Sequence, residues 1–232
     1  MTGTNKEVIA IDGPAGSGKS TVARRLAQHL DWDYIDTGAM YRCLCLKALR
    51  ENIPVDDESR LVDLLLDSDI RMRFEEGTLR VWMDGEEVTE AIRENRVSRK
   101  VSTVAALEGV REELVREQRR MGESGQVIMD GRDIGTVVFP DALHKFYLDA
   151  SLEVRARRRY DELQESEDTV DFSSVAEEIR QRDRTDRGRS SGPMKPAEDA
   201  VRIDTSYSTV SEVVERLLDH MEEDLHSASE SP

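Results

Sequence analysis

The fold of this chain is decided by the stretch Val8–Thr21, which reads VIAIDGPAGSGKST. Its first four residues are apolar and predict a buried strand, and the loop that follows fits the pattern G-x-x-x-x-G-K-[ST]. Gly13, Gly18, Lys19 and Ser20 occupy the fixed positions of that pattern. Beyond it, apolar residues recur at helical spacing, so the sequence predicts a strand, a phosphate-binding loop and a helix in that order.

The chemistry of this P-loop follows from its glycines and from the helix behind it. Glycine lets the backbone bend so that N–H groups point at phosphate oxygens, and the helix N-terminus adds its positive end. Lys19 is expected to reach the β- and γ-phosphates of ATP, and the Ser20 hydroxyl to be a Mg²⁺ ligand. A glycine-rich turn that binds nothing is the alternative, against which the flanking strand and helix argue. The residues expected to bind ATP are Gly13, Pro14, Ala15, Gly16, Ser17, Gly18, Lys19, Ser20 and Thr21.

The composition limits the partners of the chain. Its 232 residues carry a net charge of -16, which argues against nucleic acid as a partner. No apolar run approaches about 18 residues and the first residues form no apolar signal segment, so we expect neither a membrane span nor a leader. Cys43 and Cys45 point to different sides of a predicted helix, which favours a reducing cytoplasm without disulfides. The acidic surface fits a salt-rich cytoplasm and a G+C-rich genome equally well.

Further along the chain, short apolar strands alternate with helical patterns, which predicts a parallel sheet covered by helices on both faces. Ligands of such sheets bind at the carboxyl ends of the strands. The P-loop, Asp36–Gly38 and Asp130–Asp133 all follow predicted strands and are therefore expected to converge on one cleft. There, Asp130 either caps a turn or binds a Mg²⁺ water. Residues 70–88 instead alternate around two turns, which predicts an inserted antiparallel meander.

Arginines at strand ends and in turns indicate the second substrate. Arg42, Arg132, Arg182 and Arg189 supply several guanidinium forks, which grip phosphate oxygens in pairs. Phosphoryl transfer to an acceptor that is itself a phosphate needs such charge, because two anions must be held together. This pattern favours a nucleoside monophosphate kinase, and the sequence has no N-K-x-D motif typical of a GTPase. Structural ion pairs with neighbouring aspartates are the alternative for Arg182 and Arg189.

Five segments spread over about residues 7–222 extend this interpretation to a family: IAIDGPAGSGKST, IDTGAMYR, VSTVAALEGVRE, MDGRDIGTVVFPDA and RDRTDRGR. With these segments the chain resembles the bacterial-type cytidylate kinases. The resemblance implies an α/β, P-loop NTPase-type three-layer fold, and ATP- and Mg²⁺-dependent phosphorylation of CMP or dCMP. A kinase for another small molecule, or a nucleotide-binding switch that barely turns over, are the competing hypotheses.

The resemblance also divides the chain. It implies one kinase domain over 1–222, in which a monophosphate-binding insert containing the meander and a helical lid interrupt the core. The expected ranges are 7–36, 124–152 and 198–222 for the core, 37–123 for the insert and 153–190 for the lid. Residues 223–232 are polar and are expected to form a disordered tail. No apolar helix face is left over, so we expect a monomer.

Matching positions in the resemblance imply the roles of individual residues. Ser102 and Arg111 should lie beside the cytosine, and Arg157 and Arg158 should close over ATP as part of the lid. Thr37 stands where serine is common, and it keeps the hydroxyl. The residues expected around the acceptor nucleotide are Thr37, Tyr41, Arg42, Ser102, Arg111, Arg132, Asp133, Arg182, Asp186 and Arg189. Lys19, Arg132 and Arg182 are expected to act on the transferred group.

Overall fold

The computed structural model describes residues 7–164 and 170–229. Its strands in chain order are β1 (Val8–Asp12), β2 (Asp33–Asp36), β3 (Ile70–Glu75), β4 (Thr78–Met83), β5 (Glu86–Glu87), β6 (Val127–Gly131), β7 (His144–Asp149) and β8 (Val201–Asp204). Its α-helices are α1 (Lys19–Leu30), α2 (Thr37–Arg50), α3 (Glu58–Leu66), α4 (Asn95–Ser98), α5 (Val101–Val104), α6 (Glu108–Met121), α7 (Leu152–Gln164), α8 (Phe172–Arg187) and α9 (Val210–Ser229).

The main sheet is parallel and has the strand order β2-β6-β1-β7-β8. Its central strand β1 is buried along its whole length, because the strands beside it and the helices on both faces cover it. The register places Asp12 of β1 opposite Gly131 of β6 and Tyr147 of β7. The carboxyl ends of these strands therefore lie side by side, as the α/β prediction required, and the fold class is confirmed.

The second sheet consists of β3, β4 and β5 and is antiparallel, which confirms the predicted meander. Both of its turns use left-handed backbone, at Glu76-Gly77 and at Asp84-Gly85, as two-residue hairpins require. Phe74 of β3 packs edge-on against Tyr34 of β2, with ring centroids 5.4 Å apart. One apolar cluster runs from the main sheet through α2 into the small sheet, so the insert and the core share packing.

The segment between the small sheet and β6 differs from its sequence pattern. A helical pattern continues from Thr89 to about Glu123, but the structure breaks it into a 3₁₀ turn at Ala91–Arg93 and the helices α4, α5 and α6. Val97, Val101 and Val104 are almost fully buried in the short helices. These β-branched residues have a low helix propensity, and the breaks let each of them reach the core.

The last helix corrects the prediction for the C-terminal end. The structure continues α9 to Ser229, so residues 223–229 are helical where a disordered tail was predicted. This stretch contains neither glycine nor proline, so nothing in it stops the helix. The rest of the predicted tail, 230–232, lies outside the described residues. Across the described ranges, no helix combines the length and apolar character needed to cross a membrane.

Candidate active site

The P-loop (residues 13–20) joins β1 to α1 and depends on glycine at three positions. Gly13, Gly16 and Gly18 have φ values of 151°, 76° and 85°, a region that residues with a side chain rarely adopt. A Cβ on Gly13 would stand 2.0 Å from the carbonyl oxygen of Leu148. The loop therefore turns tightly over the ends of β1 and β7, and the N-terminus of α1 begins directly behind it at Lys19.

Residues distant in the chain brace the P-loop from outside. Arg155 is buried, donates to the carbonyl oxygen of Ala15 at 3.2 Å and forms an ion pair with Asp183 at 2.7 Å. Arg158 donates to the carbonyl oxygen of Gly16 at 3.3 Å and to that of Thr205 at 2.6 Å. These contacts tie the loop to both α7 and α8, the two helices of the expected lid.

A buried carboxylate lies beside the inner end of the P-loop. Asp130, near the end of β6, accepts hydrogen bonds from Ser20 Oγ and from the Tyr34 hydroxyl, both at 2.7 Å. Thr37 Oγ1 donates to the backbone carbonyl of Asp130 at 2.8 Å. Burial raises the pKa of the Asp130 carboxyl, whereas it lowers the pKa of the Lys19 ammonium, which donates to the Pro14 carbonyl at 3.2 Å. Two hard oxygen donors, a hydroxyl and a carboxylate, therefore adjoin the loop and suit Mg²⁺.

A second charged group, which we call the arginine cluster, consists of Arg111, Arg132 and Arg189 with Asp133 and Asp186, and its Arg132 is near enough to Lys19 to lower the pKa of that lysine. Asp186 forms ion pairs with two members, Arg132 at 3.0 Å and Arg189. Burial raises the pKa of Asp186, but Arg132, Arg189 and the nearby Arg182 outweigh it, so the pKa lies below its ordinary value. Asp186 is therefore ionised and holds two guanidinium groups in fixed orientations.

The other half of the arginine cluster is the ion pair between Arg111 and Asp133. Arg111 is 2% exposed, and it also donates to the Tyr41 hydroxyl at 3.4 Å. Gly192 lies over this pair, since a Cβ there would stand 2.1 Å from an Arg111 nitrogen. Burial raises the pKa of Asp133 against the opposing effects of Arg111 and Arg189.

Three further predicted residues lie on helices: Arg42 on α2, Ser102 on α5 and Arg182 on α8. Arg42 donates to Ser98 Oγ at 2.9 Å and to the carbonyl oxygen of Ile92 at 3.3 Å. Burial and the nearby charges of Arg132 and Arg42 lower the pKa of Arg182 to about 9. The structure places half-buried Ser102 on α5, which packs against α2 and α8.

Several polar atoms in this region have no protein partner. Within the described part of the chain, Ser17 Oγ, Arg111 Nε, Arg182 Nε and Arg189 Nε are buried without a hydrogen bond. Buried polar groups are normally satisfied, so these atoms point to a bound polar ligand or to water. Three of the four belong to arginines that are expected to line the acceptor site.

Of the two arginines expected to close over ATP, the structure brings only Arg158 to the P-loop. Arg157 lies with its guanidinium carbon 4.6 Å from the ring centre of Phe172 and 5.4 Å from that of Tyr160. The cation–π contact with Phe172 joins α7 to α8, whereas Tyr160 lies on α7 itself.

Sequence reasoning missed several residues of the site. Tyr34 was assigned no role, although its hydroxyl holds Asp130. Thr205 donates to the carbonyl oxygen of Ser17 at 2.8 Å, and the Asp12 carboxylate accepts from the backbone N–H of Ile134. Thr205 directly follows β8 and Asp12 ends β1, so the rule that sites form at the carboxyl ends of parallel strands was the available signal.

The fold and the site together define a class, the P-loop kinases that phosphorylate a small anionic acceptor. Residues 9–223 match the family described as cytidylate kinase. A cytidylate kinase of Caldanaerobacter subterraneus subsp. tengcongensis is 54% identical over 209 residues, covering 90% of this chain and 92% of the relative. A cytidylate kinase of Bacillus subtilis is 46% identical over 215 residues, covering 93% and 96%. The chain belongs to the cytidylate kinase family.

Among solved structures, a shikimate kinase from Acinetobacter baumannii in complex with shikimate aligns with 94% of each chain. The sequence identity is 15% and the TM-score 0.46. The strand order of the main sheet, rather than this likeness, defines the fold.

Proposed function

We propose that this enzyme transfers the γ-phosphoryl group of ATP to the 5′-phosphate of CMP or dCMP. Membership of the cytidylate kinase family supports this activity. The structural observation that supports it best is the arginine cluster opposite the P-loop, with guanidinium nitrogens that are buried and unpaired in the described chain. A cleft with that charge suits an acceptor that is itself an anion.

On the donor side, the backbone N–H groups of residues 13–20 would hold the β- and γ-phosphates, with Lys19 as their cation. Arg158 would contact the triphosphate or the base when the lid closes, since it already lies at Gly16. We propose that Arg157 instead holds the two lid helices together.

Magnesium fits the pair of oxygen donors beside the P-loop. Ser20 would be its direct ligand, and Asp130 would bind a coordinated water. When bound, Mg²⁺ would neutralise charge on the β- and γ-phosphate oxygens.

On the acceptor side, Arg42, Arg132 and Arg182 would hold the phosphate of CMP, and Asp186 would accept from a ribose hydroxyl. The pair of Arg111 and Asp133 would face the cytosine, whose N4 amino group is a donor and whose O2 and N3 are acceptors. Thr37, Tyr41, Ser102 and Arg189 complete the proposed lining.

No protein nucleophile is required for this reaction. The acceptor phosphate oxygen attacks the γ-phosphorus in line with the leaving ADP oxygen, and charge on the transferred group develops between Lys19, Arg132 and Arg182. Closure of 153–190 over the insert 37–123 would exclude water, which otherwise competes as an acceptor.

The test is ADP release from ATP and Mg²⁺ with CMP, dCMP, UMP, AMP, GMP or shikimate as acceptor, at low and high KCl. Multiple turnovers with CMP and dCMP are expected. Turnover restricted to another acceptor would overturn the substrate assignment, and binding of nucleotides without turnover would identify a switch.

We further propose a monomer in a reducing cytoplasm. Cys43 and Cys45 are both free and buried, and burial raises the pKa of their thiols to about 12 and about 11. Such thiols resist oxidation. Sedimentation at several protein concentrations tests the monomer.

A further inference from the structure

Asp12 is a buried acid that lies between the two substrate-binding regions and has no part in the reaction described above. It is the last residue of β1 and directly precedes Gly13 of the P-loop. The residue is 4% exposed to solvent. An acid in that position is costly to bury, so it requires partners.

The partners of Asp12 belong to the acceptor side of the cleft. Oδ1 accepts from the backbone N–H of Ile134 and Oδ2 from that of Gly135, both at 2.8 Å. These amides belong to the first two residues of the π-helical turn Ile134–Val138, which directly follows Arg132 and Asp133. One carboxylate therefore joins the start of the P-loop to the loop that carries Arg132 and Asp133.

The surroundings of Asp12 disfavour its ionised form. Burial raises the pKa of its carboxyl to about 7, with Asp133 adding to the shift and both backbone hydrogen bonds and Arg132 opposing it. Tyr147 of β7 lies opposite in the sheet register, and the Lys145 side chain packs over Gly135. An amide side chain would avoid this cost, but it has only one acceptor oxygen for the two backbone N–H groups.

We propose that Asp12 is a positioning residue that fixes the P-loop relative to the loop carrying Arg132 and Asp133. This proposal rests on the proposed function, because Asp12 would align the γ-phosphate of ATP with the phosphate of CMP. If each loop binds its own substrate, loss of Asp12 leaves both affinities nearly unchanged. In-line transfer additionally requires that both phosphates lie at the correct separation, and small displacements reduce turnover strongly.

The test is the variant Asp12→Asn, which has the same shape. Its amide offers one acceptor oxygen and turns an NH₂ group toward the second backbone N–H, so one of the two bonds is lost. We expect kcat to fall at least tenfold, while the Kd of ATP alone and of CMP alone each change less than about threefold. Asp57→Asn is the control, because Asp57 caps α3 by accepting from the Arg60 amide and is not among the proposed site residues.

A second readout follows the loop itself. In Asp12→Asn, hydrogen exchange should accelerate in residues 133–138 and stay unchanged in β1 and β6. Asp12→Ser shortens the side chain and introduces no amide group. It should give the same kinetic pattern, which would show that the effect does not depend on one particular substitution.

Several outcomes would overturn the proposal: unchanged kcat in both variants, a loss of both binding affinities in parallel with kcat, or failure of both variants to fold. The last two would identify a purely structural carboxylate. Failure of the proposed function is distinguishable, because the wild-type enzyme would then show no turnover with CMP.

Discussion

The P-loop and the arginine cluster prepare for phosphate with different parts of the chain. The P-loop relies on backbone N–H groups, which glycines at positive φ turn inward. The arginine cluster relies on side chains, and Asp133 and Asp186 hold its guanidinium groups in place. A backbone site recognises any triphosphate and is damaged by an added Cβ, whereas a side-chain site can be tuned one residue at a time. Substrate selectivity is therefore expected to reside in the cluster.

The largest effect should come from the one side-chain cation in the P-loop motif. Lys19→Met is expected to lower kcat by about 10³-fold, because charge on the transferred group then loses a buried partner. The fold should persist, since the backbone loop is unchanged. Lys47→Met, which removes the ion pair of a partly buried lysine with Asp84, is the control. Turnover within tenfold of the wild type would show that the backbone alone suffices.

The second effect concerns Asp12, which precedes the P-loop and accepts from the backbone that directly follows Asp133. Since burial raises its pKa from 3.8 to about 7, the folded protein keeps a proton between pH 4 and 7 that the unfolded chain releases. Its contribution to the free energy of unfolding therefore falls as pH rises through that window, by up to about 4 kcal/mol. Urea unfolding at pH 5 and pH 8 should show that Asp12→Asn gains stability relative to the wild type at the higher pH. Equal differences at the two pH values would contradict the raised pKa.

Arg132→Ala sharpens the comparison from the acceptor side. We expect kcat/KM for CMP to fall by about 10²-fold, because a fork directed at the acceptor phosphate is lost and Asp186 loses a partner. The Kd of ATP should change less than twofold if the two regions bind separately. Arg71→Ala, which breaks an exposed ion pair with Asp69, is the matched control. A large change in ATP affinity would show that the regions are not independent.

The smallest effect compares two adjacent arginines of α7. Arg158→Ala should raise KM for ATP by about tenfold, because the residue contacts the P-loop at Gly16. Arg157→Ala should leave KM within twofold and lower stability by about 1 kcal/mol through lost cation–π contacts. Steady-state kinetics and thermal unfolding of both variants test this. A higher KM for ATP in Arg157→Ala than in Arg158→Ala would show that Arg157, rather than Arg158, contacts ATP.

The sequence was sufficient for most of the fold, because its signals there are local. Strands β1 and β6 are short apolar runs, and the small sheet is marked by alternation around Glu76-Gly77 and Asp84-Gly85. The region 89–121 could not be predicted in the same way. Its pattern is helical throughout, and only packing of Val97, Val101 and Val104 against the core divides it.

The site was predictable where a motif fixes the backbone and less so where side chains pair across the fold. The P-loop motif identified Lys19 and Ser20, but Asp130, the partner of the Ser20 hydroxyl, lies on β6, and Tyr34, which also bonds Asp130, carried no signal of its own. Likewise, nothing in the spacing of residues 155–159 shows which arginine turns toward the P-loop. That choice depends on how α7 packs on α8.

The sharing of Asp186 by Arg132 and Arg189 has a consequence for how this enzyme can evolve. Substitutions at 132 and 189 will be epistatic, since removing either arginine changes the charge balance that holds the other. A change at 186 disturbs both at once. Mutational routes to a new acceptor therefore have a preferred order, in which a compensating acid must be gained before Asp186 is lost.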